Sequence, residues 1–356
     1  MTDRRVPPEL ANIPRLTAWL DAHIPALGDG PLAIGMVHGG FSNVIISLDR
    51  GGETMVLRRP PVIAPPGSER TVLREARVLA ALDTAHVPHP HCFGSCEDDA
   101  VIGAPFYVME KVKGWAGEVR DRKVHHPPPF DRMPYEYGIP FAVVDALVAL
   151  ANVDYKAVGL EGFGKPDNFL ERQVDRWATQ LASYKDRYGY AGRDLPGYAE
   201  TERWLRDNIP KAASSGIIHG DIGTSNMMFA PGPPAHVVAL LDWELSTIGD
   251  PMIDMGWFCN GLRDERYPEA YTGSVHPSEH WPTRQELARY YAAGTGRSIE
   301  AFDYYLVLAS FKAGCIMEYK VAQAAAGKLS REVGEFFSDI VLSCFSSAAK
   351  LIRSVG

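Results

Sequence analysis

Short apolar runs punctuated by glycine and proline dominate the first part of the chain. Asn43-Val-Ile-Ile-Ser-Leu48 is followed by Asp49-Arg-Gly-Gly52 and then Thr54-Met-Val-Leu-Arg58, which predicts strand, tight turn, strand: an antiparallel hairpin. Pro60 to Gly67 reads as a loop. From Ser68 the apolar positions Val72, Leu73, Ala76, Leu79 and Ala80 recur at helical spacing, with Glu75 among them. Val101 to Met109 reads as a further buried strand. Trp115 to Tyr137 is polar, with His125-His126 ahead of three prolines, and is expected to be a long loop or insertion. Beyond Pro140 the periodicity is mostly helical: Phe141 to Val153, Asn168 to Tyr188, Tyr198 to Asn208, Arg284 to Ala293, Ile299 to Ala325 and Ser330 to Val355. Ile217 to Phe258 interrupts this with short apolar runs and acidic residues. The expected layout is α+β and bilobed, with a small strand-rich lobe over 1–111 and a larger helical lobe over 112–356.

Composition narrows the function classes. Of 356 residues 46% are apolar and 22% charged, ordinary globular usage that excludes wholesale disorder. The 36 Lys and Arg against 44 Asp and Glu leave a formal charge of −8, which argues against a dedicated nucleic-acid binder. Five cysteines do not suggest a disulfide scaffold. The opening residues lack an apolar signal core. No run approaches the ~18 apolar residues of a membrane span. A soluble, reducing, cytoplasmic setting without membrane partners is expected, and oligomeric state is not legible.

The chemistry concentrates in His219-Gly-Asp221-Ile-Gly-Thr-Ser-Asn226, followed by Leu240-Leu-Asp242-Trp-Glu244. Phosphoryl transfer from a nucleotide needs a carboxylate to accept the proton of an attacking hydroxyl. It also needs oxygen ligands, such as a second carboxylate and an amide, to hold Mg²⁺ against the phosphates. Two further groups fit that reading. Gly39-Gly40-Phe-Ser42-Asn43 would let backbone N–H groups approach phosphate oxygens. It lacks the Walker lysine pattern. Arg58, with Glu75 on the following helix, matches the basic strand residue and helix carboxylate that kinases use at the phosphates. Strand alternation leaves Arg59 as the other candidate for the inward position. His86, His89, His91, Cys92 and Cys96 crowd one segment, but without the paired spacing of a zinc site.

The order H-G-D-x-x-x-x-N followed by an acidic strand end resembles the aminoglycoside phosphotransferase and choline kinase family. The run Leu241-Asp-Trp-Glu-Leu-Ser-Thr-Ile-Gly-Asp-Pro251-Met-Ile-Asp254 is similar to the branch that includes kinase domains attached to acyl-CoA dehydrogenases. The resemblance implies a protein-kinase-like fold, ATP and Mg²⁺ as cofactors, and a small-molecule hydroxyl as acceptor. It implies Asp221 as catalytic base, His219 as a residue that orients the loop, Asn226 and Asp242 as metal ligands, and Asp254 as a brace. Gly39, Gly40, Ser42, Asn43, Arg58 and Glu75 would lie at the nucleotide, with Glu110 and Val112 at the adenine hinge. A hydroxyacyl-CoA is the favoured acceptor; an aminoglycoside or other antibiotic is the alternative, and a catalytically silent nucleotide-binding protein is a third reading. Gly220 in place of Arg, and no Ala-Pro-Glu signature after Asp242, argue against a protein kinase.

Overall fold

A computed structural model describes residues 6–7, 10–37, 43–63, 67–120, 123–211, 214–266 and 279–355. In chain order the elements are α1 (Ile13–His23), β1 (Ala33–Met36), β2 (Val44–Arg50), β3 (Glu53–Arg59), α2 (Ser68–Leu82), β4 (Cys92–Cys96), α3 (Asp99–Ile102) and β5 (Phe106–Glu110). Then come β6 (Glu118–Arg120), β7 (Lys123–His125), α4 (Ile139–Ala151), α5 (Glu171–Tyr188), α6 (Tyr198–Asp207), β8 (Gly216–Ile218), β9 (Met227–Phe229), β10 (Val237–Leu240) and β11 (Thr247–Gly249). Four helices close the chain: α7 (Met252–Cys259), α8 (Arg284–Thr295), α9 (Phe302–Ala325) and α10 (Arg331–Val355). The contacts divide it into two units. The first comprises 1–114, 156–160 and 238–246; the second comprises 115–155, 161–237 and 247–356.

The first unit is built on a five-stranded antiparallel sheet in the order β1-β2-β3-β5-β4. Gly51 and Gly52 both have positive φ, +60° and +89°. That is the backbone a two-residue hairpin turn requires, and it sets the register Arg50↔Glu53 through Val44↔Arg59. Ile46, Leu48, Met55 and Leu57 face a core shared with Leu16 and Leu20 of α1 and with Phe106 and Val108 of β5. The strand-rich reading of this region omitted α1. The strand expected over Val101 to Met109 is split: Asp98 caps the single turn α3 through the Ala100 N–H, Gly103 ends it at φ +82°, and β5 starts only at Phe106.

The second unit is mainly helical. α9 is apolar around nearly its whole circumference and packs against α10, α5 and α7. Thr283 and Glu286 form a reciprocal capping box that starts α8. The polar stretch expected to be a loop holds the β6–β7 hairpin and is anchored by Trp115, whose ring stacks on Phe229 at 4.5 Å. The Trp115 N–H donates to the Phe229 carbonyl, and the Phe229 N–H donates to the Trp115 carbonyl. Among the described residues no helix is long and apolar enough to cross a membrane.

Candidate active site

Two constellations carry the predicted chemistry, one in each unit. In the first, β3 alternation turns Arg58 toward α2. Its Nε lies 3.1 Å from Glu75 Oε2, and its Nη2 donates to Asp242 Oδ1 at 2.6 Å. Arg59 faces the other way and donates to the carbonyls of Leu10 and Ile102 at 2.7 and 2.8 Å, so it ties backbone rather than joining the acidic group. Glu75 is fully buried and accepts from Tyr107 Oη at 2.9 Å. With its oxygen turned to the guanidinium, the Asn43 amide accepts from Arg58 Nε and Nη2 at 3.1 and 2.9 Å. Burial alone would lower the Arg58 guanidinium, but Tyr107, Glu75 and Asp242 raise it above its ordinary range, so it stays charged. Burial pushes the Glu75 carboxyl up to about 7, against the pull of Arg58 and the Tyr107 hydroxyl.

Asp242 follows β10 in the left-handed region, φ +66°, and opens a short turn whose Trp243 indole N–H closes onto the Leu240 carbonyl at 2.9 Å. A non-glycine residue held there is uncommon. Glu244, which the sequence reading did not select as a site residue, joins the group. One carboxylate oxygen each from Glu75, Asp242 and Glu244 lies within 4.8 Å of the others. Hard oxygen donors of this kind suit Mg²⁺. Glu110, at the end of β5, has its N–H bonded to the His91 carbonyl at 2.8 Å, and Val112 follows the strand end. Gly39, Gly40 and Ser42 lie outside the described residues. His89 Nε2 and His91 Nδ1 share one oxygen of Asp83, at 3.0 and 2.8 Å, a local turn rather than a ligand cage with the cysteines.

The second constellation is the loop after β8. Gly220 has φ +90°, open to glycine at no steric cost, and this turns two successive N–H groups toward α7. His219 N–H donates to Asp254 Oδ2 at 2.7 Å, and Gly220 N–H donates to Oδ1 at 2.8 Å. Complete burial raises the Asp254 carboxyl to about 6, opposed by those two amides and by Lys312. Asn226 Nδ2 donates to the Asp221 carbonyl and to Asp221 Oδ2, both at 2.9 Å. The amide oxygen is therefore the atom that Asn226 can offer a cation. His219 is buried, and its Nδ1 accepts from the Asp221 N–H at 3.3 Å. Gly117 N–H donates to the Thr224 carbonyl at 2.9 Å. A Cβ at Gly117 would stand 2.5 Å from Thr224 Oγ1, so only glycine lets β6 approach the loop.

Asp221 and Asn226 open onto a cleft of about 340 Å³, walled by Ile222, Trp257, Phe258 and Trp281. Among the described residues Asp221 is the only charged side chain lining it.

The model of the phosphotransferase enzyme family matches residues 34–290. The chain belongs to that family. Acyl-CoA dehydrogenase family member 11 from Homo sapiens is 31% identical over 337 residues, which is 92% of this chain but 41% of that protein. A crystal structure from Ralstonia eutropha JMP134, provisionally described as an aminoglycoside phosphotransferase, superposes with TM-score 0.79 at 28% identity, covering 96% of this chain and 99% of that one. The GDP complex of aminoglycoside 2'-phosphotransferase-IIIa shares the fold at TM-score 0.59 and 13% identity, covering 94% of this chain and 99% of that one. The expected α+β kinase-like fold is therefore that of the phosphotransferase enzyme family.

Proposed function

We propose that this phosphotransferase moves the γ-phosphoryl group of ATP to a hydroxyl on an apolar acyl chain, with a hydroxyacyl-CoA as the acceptor class. The carrying observation is the cleft beside Asp221: indole, phenyl and aliphatic groups make up most of its walls, the polar side chains Thr224, Ser225, Asn226 and Asn260 are uncharged, and one carboxylate is its only charge among the described residues. An aminoglycoside is a polycation and calls for several acidic groups at the wall, whereas an acyl chain is held by apolar surface. The partial likeness to acyl-CoA dehydrogenase family member 11 supports the same class.

In this reading the first unit covers the nucleotide and the second holds the acceptor. Asp221 accepts the hydroxyl proton as the acceptor oxygen bonds to the γ-phosphorus and the bond to the bridging oxygen of ADP breaks. His219 and Asp254 fix the loop that carries Asp221. Arg58 grips phosphate oxygens while Glu75 and Asn43 hold its fork in place. Asp242 and Asn226 are the proposed Mg²⁺ ligands, and Glu244 is a further oxygen donor. Magnesium bound there supplies charge neutralisation at the phosphates. Gly39, Gly40 and Ser42 would cover the phosphates, with the backbone around Glu110 and Val112 near the adenine.

The test is ADP release from MgATP with a hydroxyacyl-CoA thioester and, separately, with hygromycin B. Turnover with the thioester and none with the antibiotic is expected. A higher kcat/KM for the antibiotic, or nucleotide binding with no acceptor-dependent turnover, overturns the assignment.

A further inference from the structure

α9 is an apolar helix with one ammonium at its centre. Lys312 lies in Leu308-Ala-Ser-Phe-Lys-Ala-Gly-Cys315, and only 6% of it is exposed. A buried ammonium is costly unless its donors and charge are matched, and apolar residues of similar volume commonly do as well or better for stability. The surroundings of Lys312 therefore indicate what the charge is kept for. Its Nζ donates to the Gly220 carbonyl at 2.7 Å. It stands 3.9 Å from the ring centroid of Trp257 and 5.4 Å from that of Trp177, an indole box that favours a cation. Asp221 and Asp254 act on it as opposite charges, and Arg176 acts as a like charge.

The Gly220 carbonyl belongs to the peptide that leads into Asp221. The N–H of that same peptide is held by His219 Nδ1 at 3.3 Å, and the preceding N–H is held by Asp254 at 2.8 Å. Lys312 thus grips a backbone carbonyl of this turn that neither His219 nor Asp254 reaches, as Asn226 does the next one, at Asp221. It does not line the acceptor cleft, although its helix neighbour Ala313 and its ring partner Trp257 do.

We propose that Lys312 is a positioning residue for phosphoryl transfer, clamping the Gly220–Asp221 peptide from below so that the Asp221 carboxylate is held at the acceptor hydroxyl. The role rests on the reading of Asp221 as the base. A displacement of about 1 Å at a reacting group can cost about 100-fold in rate, so the effect belongs in kcat rather than in nucleotide binding.

The test compares Lys312→Met, Lys312→Gln and Lys312→Arg in the full chain, with Asp221→Asn alongside. MgATP and a hydroxyacyl-CoA thioester are the substrates. Met keeps neither donor nor charge, Gln keeps a donor, and Arg keeps both. The expected kcat order is wild type, Arg, Gln, Met, with Met lowered about 10- to 100-fold and the KM for MgATP unchanged. Amide exchange over residues 216–226 reads the same clamp without any acceptor and should quicken in Met and less in Gln. Wild-type exchange in Met overturns the proposal, as does a Met variant that loses melting temperature but not kcat. Should Met fail to melt cooperatively, Gln and Arg decide by the same two readouts. Full turnover in Asp221→Asn overturns the base reading and the clamp's purpose together. Loss in Asp221→Asn with none in Met overturns the clamp alone.

Discussion

The carboxylates of the two units are held by different means. In the first, Glu75 and Asp242 are held mainly by other side chains: the Arg58 guanidinium bridges them, and Tyr107 completes Glu75. In the second, apart from the Asn226 amide on Asp221, the ties run through the backbone. Asp254 takes the N–H groups of His219 and Gly220, and Lys312 takes the Gly220 carbonyl. A guanidinium can trade one oxygen partner for another, because phosphate and carboxylate offer the same fork. A backbone turn with positive φ at Gly220 has no such alternative. The difference suits a division of labour in which one group receives an anionic ligand and the other keeps a proton acceptor in place.

The largest effect should come from the backbone-held group. Asp221→Ala is expected to lower kcat about 10²- to 10⁴-fold, the range for losing a general base, with the melting temperature nearly unchanged. Near wild-type turnover would remove Asp221 from the chemistry and leave the loop as scaffolding. The charge-held group should instead show itself in stability. Arg58→Met leaves Glu75 buried without its cation, and removing one partner of a buried pair costs about 3–5 kcal/mol. Urea unfolding measures this. A loss below about 1 kcal/mol, the range of exposed ion pairs, would show that the cluster is solvated and would erase the contrast.

How much of this was legible in the sequence follows from contact range. Asp221 and Asn226 lie five positions apart, so their pairing could be read from spacing. Arg58 and Glu75 were found through strand and helix patterns, but the choice between Arg58 and Arg59 was not. Arg59 is spoken for by carbonyls 49 and 43 residues away, at Leu10 and Ile102, which no local pattern reveals. Glu244 stands in the Asp242 motif but spacing gives it no role; the turn at Asp242 brings it to Glu75. Trp115 to Tyr137 read as loop because its anchor, Phe229, lies more than 100 residues on. Lys312 left a faint signal, a cation among the apolar residues 306–317 of its helix, but its partner at Gly220 is 92 residues earlier.

Asp254→Asn probes the backbone-held group more gently. The amide keeps the shape but turns an NH₂ toward one of the two N–H donors. One buried donor is then unsatisfied, at about 1–3 kcal/mol. Urea unfolding should show that loss together with a fall in kcat, because the loop carrying Asp221 is loosened by the same change. A variant that loses stability while keeping kcat would mean that the brace supports the fold without aiming the carboxylate.

The smallest effect concerns a third way of treating a titratable group, burial of a ring nitrogen without either kind of tie among the described residues. The His126 ring meets Trp115 edge-on at 5.6 Å and stacks on Trp281 at 5.8 Å, and its Nε2 is buried with no hydrogen-bond partner among the described residues. Burial, helped by His125, pulls it from 6.5 down to about 4. Because the folded value lies below the unfolded one, the unfolded chain binds the extra proton between these limits. Stability from neutral His126 is therefore present above about pH 6.5 and is lost as pH falls toward 4. His126→Phe keeps an aromatic ring and cannot titrate, so its melting temperature should fall less than that of the wild type between pH 7 and about 4.5. Parallel curves would mean that His126 gains its proton without leaving the folded structure. The aromatic wall at Trp281 would then tolerate a positive charge beside it and would select less strongly for the uncharged chain of the proposed acceptor.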